Sequence, residues 1–234
     1  MKILFWAIVM TIGLQASAQK TKPVAKTPVK SPAATKERLV EISTDYGTMV
    51  LKLYNATPLH RDNFIKLVQQ GFYDSLLFHR VIQNFMIQGG DPTSKNADST
   101  RMIGSGSAPG DRIPAEFHPM LFHKRGALAA ARDNNPQKSS SNCQFYIVQG
   151  AKVTDEQLNG TEQGLKNANP KFSYTAAQKE IYKRIGGTPF LDQNYTVFGE
   201  VISGMEVIDN ITALPKAPND RPRINVMMKM RLLN

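Results

Sequence analysis

Residues 78–91 read Phe78-His79-Arg80-Val81-Ile82-Gln83-Asn84-Phe85-Met86-Ile87-Gln88-Gly89-Gly90-Asp91. The stretch predicts two short strands, at 77–82 and 86–88, and the glycine pair ends the second one. Residues two apart on a strand share a face, so Arg80 is expected beside Phe78 and Ile82, and Gln88 beside Met86. Taken alone, Arg80 is best interpreted as an edge-strand arginine in a salt bridge. The rest of the chain changes that interpretation.

Further elements are predicted on both sides of this stretch. Residues 39–43 and 48–54 favour a hairpin around Asp45-Tyr46-Gly47. A helix should begin with Thr57 as its N-cap and Pro58 in its first turn, and should end at Gly71. Strand patterns return at 127–131, 145–149, 196–202 and 224–233, and a short helix is expected over 205–212. Many short strands with few helices indicate a closed or sandwiched β architecture.

The 78–91 stretch closely resembles the signature of cyclophilins, and four later blocks resemble that family in the same order. These blocks are Ile113-Pro114-Ala115-Glu116-Phe117, Gly126-Ala127-Leu128-Ala129-Ala130-Ala131-Arg132, Gln144-Phe145-Tyr146-Ile147 and Val197-Phe198-Gly199-Glu200-Val201. The resemblance covers about residues 38–233 apart from one insertion. It implies a mostly β fold, a closed eight-stranded antiparallel barrel with capping helices.

The resemblance also implies peptidyl-prolyl cis-trans isomerase activity, with Arg80 as the catalytic residue. Rotation about an X-Pro bond must overcome amide resonance, a barrier of about 18–20 kcal/mol. In the twisted transition state the proline nitrogen regains its lone pair and accepts a hydrogen bond. The chemistry needs a fixed donor, an apolar cup for the proline ring and polar groups for the flanking chain. We therefore expect no cofactor and no metal.

Ten further positions match substrate-binding positions of the family, and His79 is a possible eleventh. They are Phe85, Met86, Gln88, Ala131, Arg132, Gln144, Tyr146, Phe190, Leu191 and Tyr195. Each apolar one, taken alone, would be interpreted as ordinary core packing, and Arg132 is expected to act through its backbone. Phe190, Tyr146 and Tyr195 stand where the family often has tryptophan, phenylalanine and histidine. Phe190 puts strong cyclosporin binding in doubt, and the three departures together should affect inhibitor affinity and sequence preference more than the reaction itself.

Residues 151–187 form a helical insertion. Thr154 with Gln157 and Thr175 with Gln178 follow the capping-box pattern and predict two short helices. The insertion comes just before Phe190 in the chain, so we expect it near the substrate groove. It is either a lid on that groove or a surface extension.

The first 36 residues carry two segments without a globular pattern. Residues 1–18 contain Lys2, an uncharged apolar run and Ala16-Ser17-Ala18, which predicts a signal peptide cleaved after Ala18. Residues 19–36 are rich in lysine and proline and predict a linker, leaving the isomerase domain at 37–234. The protein is therefore expected to be secreted across the inner membrane and to reside in the periplasm, although release to the medium is the alternative.

The charge distribution and the histidine and cysteine content argue against nucleic acid, zinc and an internal disulfide. The net charge is +10 for the whole chain, but much of it falls in the linker, which argues against nucleic acid. Four histidines lack zinc-ligand spacing, and a single cysteine excludes an internal disulfide. The expected partners are proline-containing unfolded or flexible polypeptides, with a monomeric protein and no transmembrane segment after signal cleavage. Two other functions stay open: a proline-peptide holdase with incidental turnover, and a cell-envelope scaffold.

Overall fold

A single antiparallel sheet organises the computed structural model, which describes residues 36–233. Its eight strands run in the order β3-β4-β6-β5-β7-β2-β1-β8. In chain order they are β1 Arg38–Thr44, β2 Gly47–Leu53, β3 Arg80–Ile82, β4 Met86–Gly89, β5 Ala127–Ala130, β6 Phe145–Val148, β7 Val197–Ser203 and β8 Lys229–Leu233. The predicted signal peptide and almost all of the predicted linker lie outside the described residues.

The sheet is an open half-barrel, so the expectation of a closed barrel is wrong. No ladder joins its two end strands, β3 and β8, among the described residues. The chain segments that lead into these strands meet at one isolated bridge, Leu77 with Met227. Near it, the Phe78 amide donates to the Val226 carbonyl at 2.9 Å. The predicted strand over 224–233 is shortened to β8, Lys229–Leu233. A few further backbone hydrogen bonds, such as the Ser75 amide to the Met228 carbonyl at 2.9 Å, join the two segments without forming a ladder.

Two of the helices pack against the main core. Helix α1, Pro58–Gln69, begins at the predicted proline and buries Phe64, Leu67 and Val68. Its end is followed by Gly71, whose φ of +64° suits glycine. Thr57 is the N-cap residue, as predicted, but its side chain makes no capping hydrogen bond. Helix α4, Met205–Thr212, has the predicted bounds.

The face assignments around Arg80 also differ from the prediction. Phe78 and Val81 both belong to the main core, whereas Ile82 packs against a second cluster. Strand β3 begins only at Arg80, so the two-residue alternation does not reach back to Phe78. Arg80 therefore lies on the face opposite Val81, away from the main core.

The insertion forms the two predicted helices, α2 Asp155–Ala168 and α3 Ala176–Ile185. Both capping boxes are present, with Thr154 and Thr175 each accepting from the amide three residues later. An isolated bridge between Ala151 and Gly187 brings its two ends together. The chain thus leaves and re-enters the domain at one place, which lets the sheet accommodate the insertion. No helix within residues 36–233 combines the length and the apolar character needed to cross a bilayer.

Candidate active site

A pocket of about 460 Å³ is lined by residues of β3, β4 and β6 and by several connecting segments. It contains Arg80, the possible contact His79 and eight of the ten predicted substrate-binding residues. These eight are Phe85, Met86, Gln88, Ala131, Arg132, Tyr146, Leu191 and Tyr195. Gln144 lines an adjoining cavity of about 480 Å³ that shares Gln88, Ala131 and Arg132 with the first. The structure therefore brings these sequence positions together.

The pocket wall is apolar because the second core cluster ends there. Met86, Tyr146 and Leu191 are buried in that cluster, and Phe85 packs against it. Ala131 follows β5 and leaves room beside these larger side chains. The result is an apolar cup in the wall of the pocket.

Phe190 is the predicted binding residue that lines neither of these two cavities. Its side chain is 58% exposed, and its ring centroid lies 5.7 Å from that of Phe85. Phe190 therefore packs on the outer side of Phe85. A substrate could contact Phe190 only with a part that extends out of the cup.

Arg80 stands at the polar edge of the cup. Strand pairing places it directly opposite Gln88. Its Nε lies 3.5 Å from Oδ2 of Asp220, and both side chains are about half exposed. The Val81 amide donates to the Asp220 carbonyl at 2.8 Å and holds the Asp220 turn beside β3. The half-exposed Arg80 side chain lines the pocket, and its guanidinium carries five N–H donors.

Two hydrogen-bonded glutamines, Gln88 opposite Arg80 and Gln144, connect strand β4 to the loop that contains Gly104 and Gly106. Gln88 donates from Nε2 to Oε1 of Gln144 at 3.2 Å. Gln144 in turn donates to the carbonyls of Gly104 at 3.0 Å and Gly106 at 2.8 Å. The loop that forms one rim of the pocket is therefore tied to β4 and β6.

Arg132 uses its side chain inside the protein. Its guanidinium carbon lies 4.7 Å from the centroid of the Tyr195 ring, and its Nε donates to the Asn194 carbonyl at 2.7 Å. Cation–π stacking and this hydrogen bond hold Tyr195 at the rim. The expected backbone role of Arg132 remains a prediction.

His79 lies beneath the pocket and is neutral at neutral pH. Its side chain is buried, and burial lowers its pKa to about 4 despite the attraction of nearby Asp91. Tyr146 is also buried, which raises the pKa of its hydroxyl well above 10. Arg80 is therefore the one cationic side chain that strands β3 and β4 contribute to the lining of the pocket.

Sequence reasoning did not identify several pocket residues. These are Met102, Ile103, Gly104 and Ser105 on one rim, Asn219 on another, and Asp220 beside Arg80. The glycines of 104–110 indicated a loop, but nothing in their pattern indicated where the loop would lie. Met102 is 82% exposed, so no periodicity of burial marks it.

The family model for cyclophilin type peptidyl-prolyl cis-trans isomerase/CLD matches residues 39–231. The chain belongs to the cyclophilin family. The enzyme class of the protein is therefore cyclophilin-type peptidyl-prolyl cis-trans isomerase.

Two curated relatives of this cyclophilin carry peptidyl-prolyl cis-trans isomerase names. A Staphylococcus aureus (strain USA300) protein is 34% identical over 191 residues, which covers 81% of this chain and 88% of the relative. A Streptococcus pyogenes serotype M6 protein, named as a bifunctional phosphatase and isomerase, is 34% identical over 193 residues but only 37% of it is covered.

Solved structures agree on the fold. A cyclophilin-type isomerase of Cryptosporidium parvum superposes with a TM-score of 0.63 at 23% identity, covering 85% of this chain and 98% of the other. The same protein in the presence of the dipeptide Ala-Pro gives a TM-score of 0.61.

The insertion of this cyclophilin does not cover the pocket. None of the described residues 151–187 lines either of the two cavities. The lid interpretation therefore gains no support from the placement of the two helices. Among residues 36–233, no group of three or more histidine, cysteine or acidic side chains is placed to hold a metal ion.

Proposed function

We propose that this cyclophilin isomerises X-Pro bonds in exported, flexible polypeptides and that Arg80 donates to the proline nitrogen. The observation that carries the mechanism is the half-exposed Arg80 guanidinium at the edge of an apolar cup. The ground-state amide nitrogen is a poor acceptor because its lone pair is delocalised. In the twisted transition state that lone pair is localised, so a fixed donor stabilises the transition state more than the substrate.

The apolar cup and the glutamine pair supply the other requirements. Met86, Phe85 and Leu191 would hold the proline ring while the preceding residue rotates. Gln88 and Gln144 offer amide groups at the place where the flanking peptide backbone would lie. No covalent bond forms or breaks, and the proton stays on Arg80 throughout. The Cryptosporidium parvum structure of the same fold, determined in the presence of the dipeptide Ala-Pro, supports a proline peptide as ligand.

Prolyl exchange in an Ala-Pro-containing peptide tests this mechanism. The purified protein, Arg80→Ala and Arg184→Ala are compared by NMR exchange spectroscopy and by a protease-coupled assay. Removing one preorganised donor typically costs about 10²–10³ in rate, so Arg80→Ala should lose that much of kcat/KM. Arg184 is an exposed arginine on α3, and its replacement controls for a lost positive charge.

Two outcomes would contradict the mechanism. If folded Arg80→Ala retains most of the acceleration, another group donates to the proline nitrogen. If the wild-type protein binds the peptide and does not accelerate exchange, the holdase function replaces catalysis.

The exported location and the role in folding form the second part of the proposal. They are supported by the signal-peptide pattern of residues 1–18. Cleavage after Ala18 predicts a mature protein that starts at Gln19. N-terminal sequencing of the protein recovered from the periplasmic and cytoplasmic fractions tests this, and an uncleaved cytoplasmic chain would refute it.

A further inference from the structure

A buried chain of hydrogen bonds runs from the pocket wall into the protein. The Tyr146 hydroxyl lies 2.9 Å from Nε2 of His123. Nδ1 of His123 lies 2.7 Å from Oδ1 of Asp192. All three residues are at least 96% buried, with exposures of 4%, 1% and 3%. Tyr146 lines the pocket, whereas His123 and Asp192 do not.

Two tyrosines of the insertion complete the environment of Asp192. The Tyr174 hydroxyl donates to Oδ2 of Asp192 at 2.7 Å, and the Tyr182 hydroxyl donates to the same oxygen at 2.6 Å. The other oxygen, Oδ1, also accepts from the His123 amide at 2.8 Å. A buried carboxylate is stable only when its oxygens are satisfied by donors. The insertion supplies both hydroxyl donors to Oδ2.

The carboxylate also sets the direction of the hydrogen bonds. We assign to His123 the tautomer with its proton on Nδ1, because a carboxylate oxygen at this distance only accepts. In that tautomer Nε2 is an acceptor, and the Tyr146 hydroxyl donates to it. This bond fixes the ring of Tyr146 and directs its hydroxyl proton away from substrate.

The backbone around Asp192 reaches the same pocket. Leu191, its chain neighbour, lines the pocket, and the Tyr195 amide donates to the Leu191 carbonyl at 3.2 Å. Tyr195 also packs edge-on against Tyr146, with ring centroids 5.9 Å apart. A displacement of Asp192 would therefore be transmitted to three residues of the pocket.

The insertion approaches this network closely from behind. A Cβ on Gly187 would lie 2.5 Å from Cε1 of Tyr182, so only glycine allows this contact. The Thr188 amide donates to the His123 carbonyl at 2.8 Å. Tyr182 packs on Phe122 with ring centroids 5.2 Å apart. These contacts leave little freedom for the tyrosine hydroxyls to move away from Asp192.

We propose that Asp192 is a positioning residue for isomerisation, through which Tyr174 and Tyr182 of the insertion hold His123 and the Tyr146 wall of the proline pocket. The insertion acts as a support behind the pocket, not as a lid over it. The inference rests on the proposed function, because it assumes that the cup beside Arg80 receives the proline ring.

A double-mutant cycle in the full chain tests the proposal. Tyr182→Phe removes one hydroxyl, keeps the ring, and should raise KM for an Ala-Pro peptide about threefold to tenfold with little change in kcat. In a Tyr146→Phe background the bond to His123 is already gone, so Tyr182→Phe should raise KM by clearly less than it does in the wild-type chain, through Leu191 and Tyr195 alone. Tyr174→Phe, which removes the second donor to the same oxygen, should behave in the same way.

Tyr73→Phe is the matched control. Tyr73 is equally buried, and its hydroxyl donates to the Cys143 carbonyl at 3.2 Å, away from the Asp192 network. Its effect on KM should be small and should add to that of Tyr146→Phe. Additive effects of Tyr182→Phe and Tyr146→Phe on KM, or no effect of Tyr182→Phe and Tyr174→Phe, would overturn the proposal.

Nitrogen-15 NMR of the imidazole provides a readout that does not depend on catalysis. His123 should show a protonated Nδ1 and an unprotonated Nε2, and its ring signals should shift in Tyr182→Phe but not in Tyr73→Phe. Protonation of Nε2 instead, or unshifted signals in Tyr182→Phe, would refute the network itself. If the network is seen but the wild-type protein does not accelerate exchange, the proposed function fails and the positioning role fails with it.

Discussion

Burial of His79 predicts a specific loss of stability in mild acid. Its ring is 4% exposed, and burial lowers its pKa to about 4 in the folded protein. In the unfolded chain the pKa of histidine is about 6.5. Between these two values the unfolded state binds the additional proton, so the free energy of unfolding falls as the pH is lowered.

The size of the effect follows from the two pKa values. Lowering the pH from about 7.5 to about 4.5 should reduce the free energy of unfolding by about 2.5 kcal/mol through His79 alone. The loss begins near the unfolded pKa and levels off below the folded one. Its full extent is about 3 kcal/mol, a large part of the stability of a typical domain.

Urea unfolding of the wild-type protein and His79→Gln at these two pH values isolates the contribution of His79. Other groups titrate in both proteins, so the difference between their pH dependences removes them. The wild-type protein should lose about 2.5 kcal/mol more than the variant over this interval. Equal losses would show that His79 is protonated in the folded state, and the burial argument would be refuted.

Two further substitutions test how the site is held together. Gln144→Leu removes the hydrogen bonds to Gly104, Gly106 and Gln88, each worth about 1 kcal/mol. The rim loop should loosen, and kcat/KM for an Ala-Pro peptide should fall about tenfold or more. Gln163→Leu, at an exposed position of α2, is the control. An unchanged kcat/KM in Gln144→Leu would contradict the prediction. Asp220→Asn removes a half-exposed ion pair with Arg80, which is worth at most about 1 kcal/mol. The same assay should show a decrease of about fivefold or less, and a loss as large as that of Arg80→Ala would show that Asp220 does more than orient the guanidinium.

Local patterns in the chain were sufficient for several elements. The two capping boxes each depend on residues three positions apart, and both helices of the insertion form where Thr154 and Thr175 predict them. Helix α4 has the predicted bounds. The 78–91 stretch together with four later blocks in the same order was sufficient for the family resemblance. For the helices, the deciding interactions lie within one short segment.

The tertiary structure alone accounts for how distant segments meet. The sheet stays open because no ladder joins β3 to β8, a relation between distant segments that neither strand shows by itself. Asp220 reaches Arg80 from a loop near the end of the chain. His123 and Asp192, 69 residues apart, pair in the interior with tyrosines of the insertion. Isolated polar residues in loops carry no periodic signal, and only the packed fold determines which of their donors and acceptors become buried together.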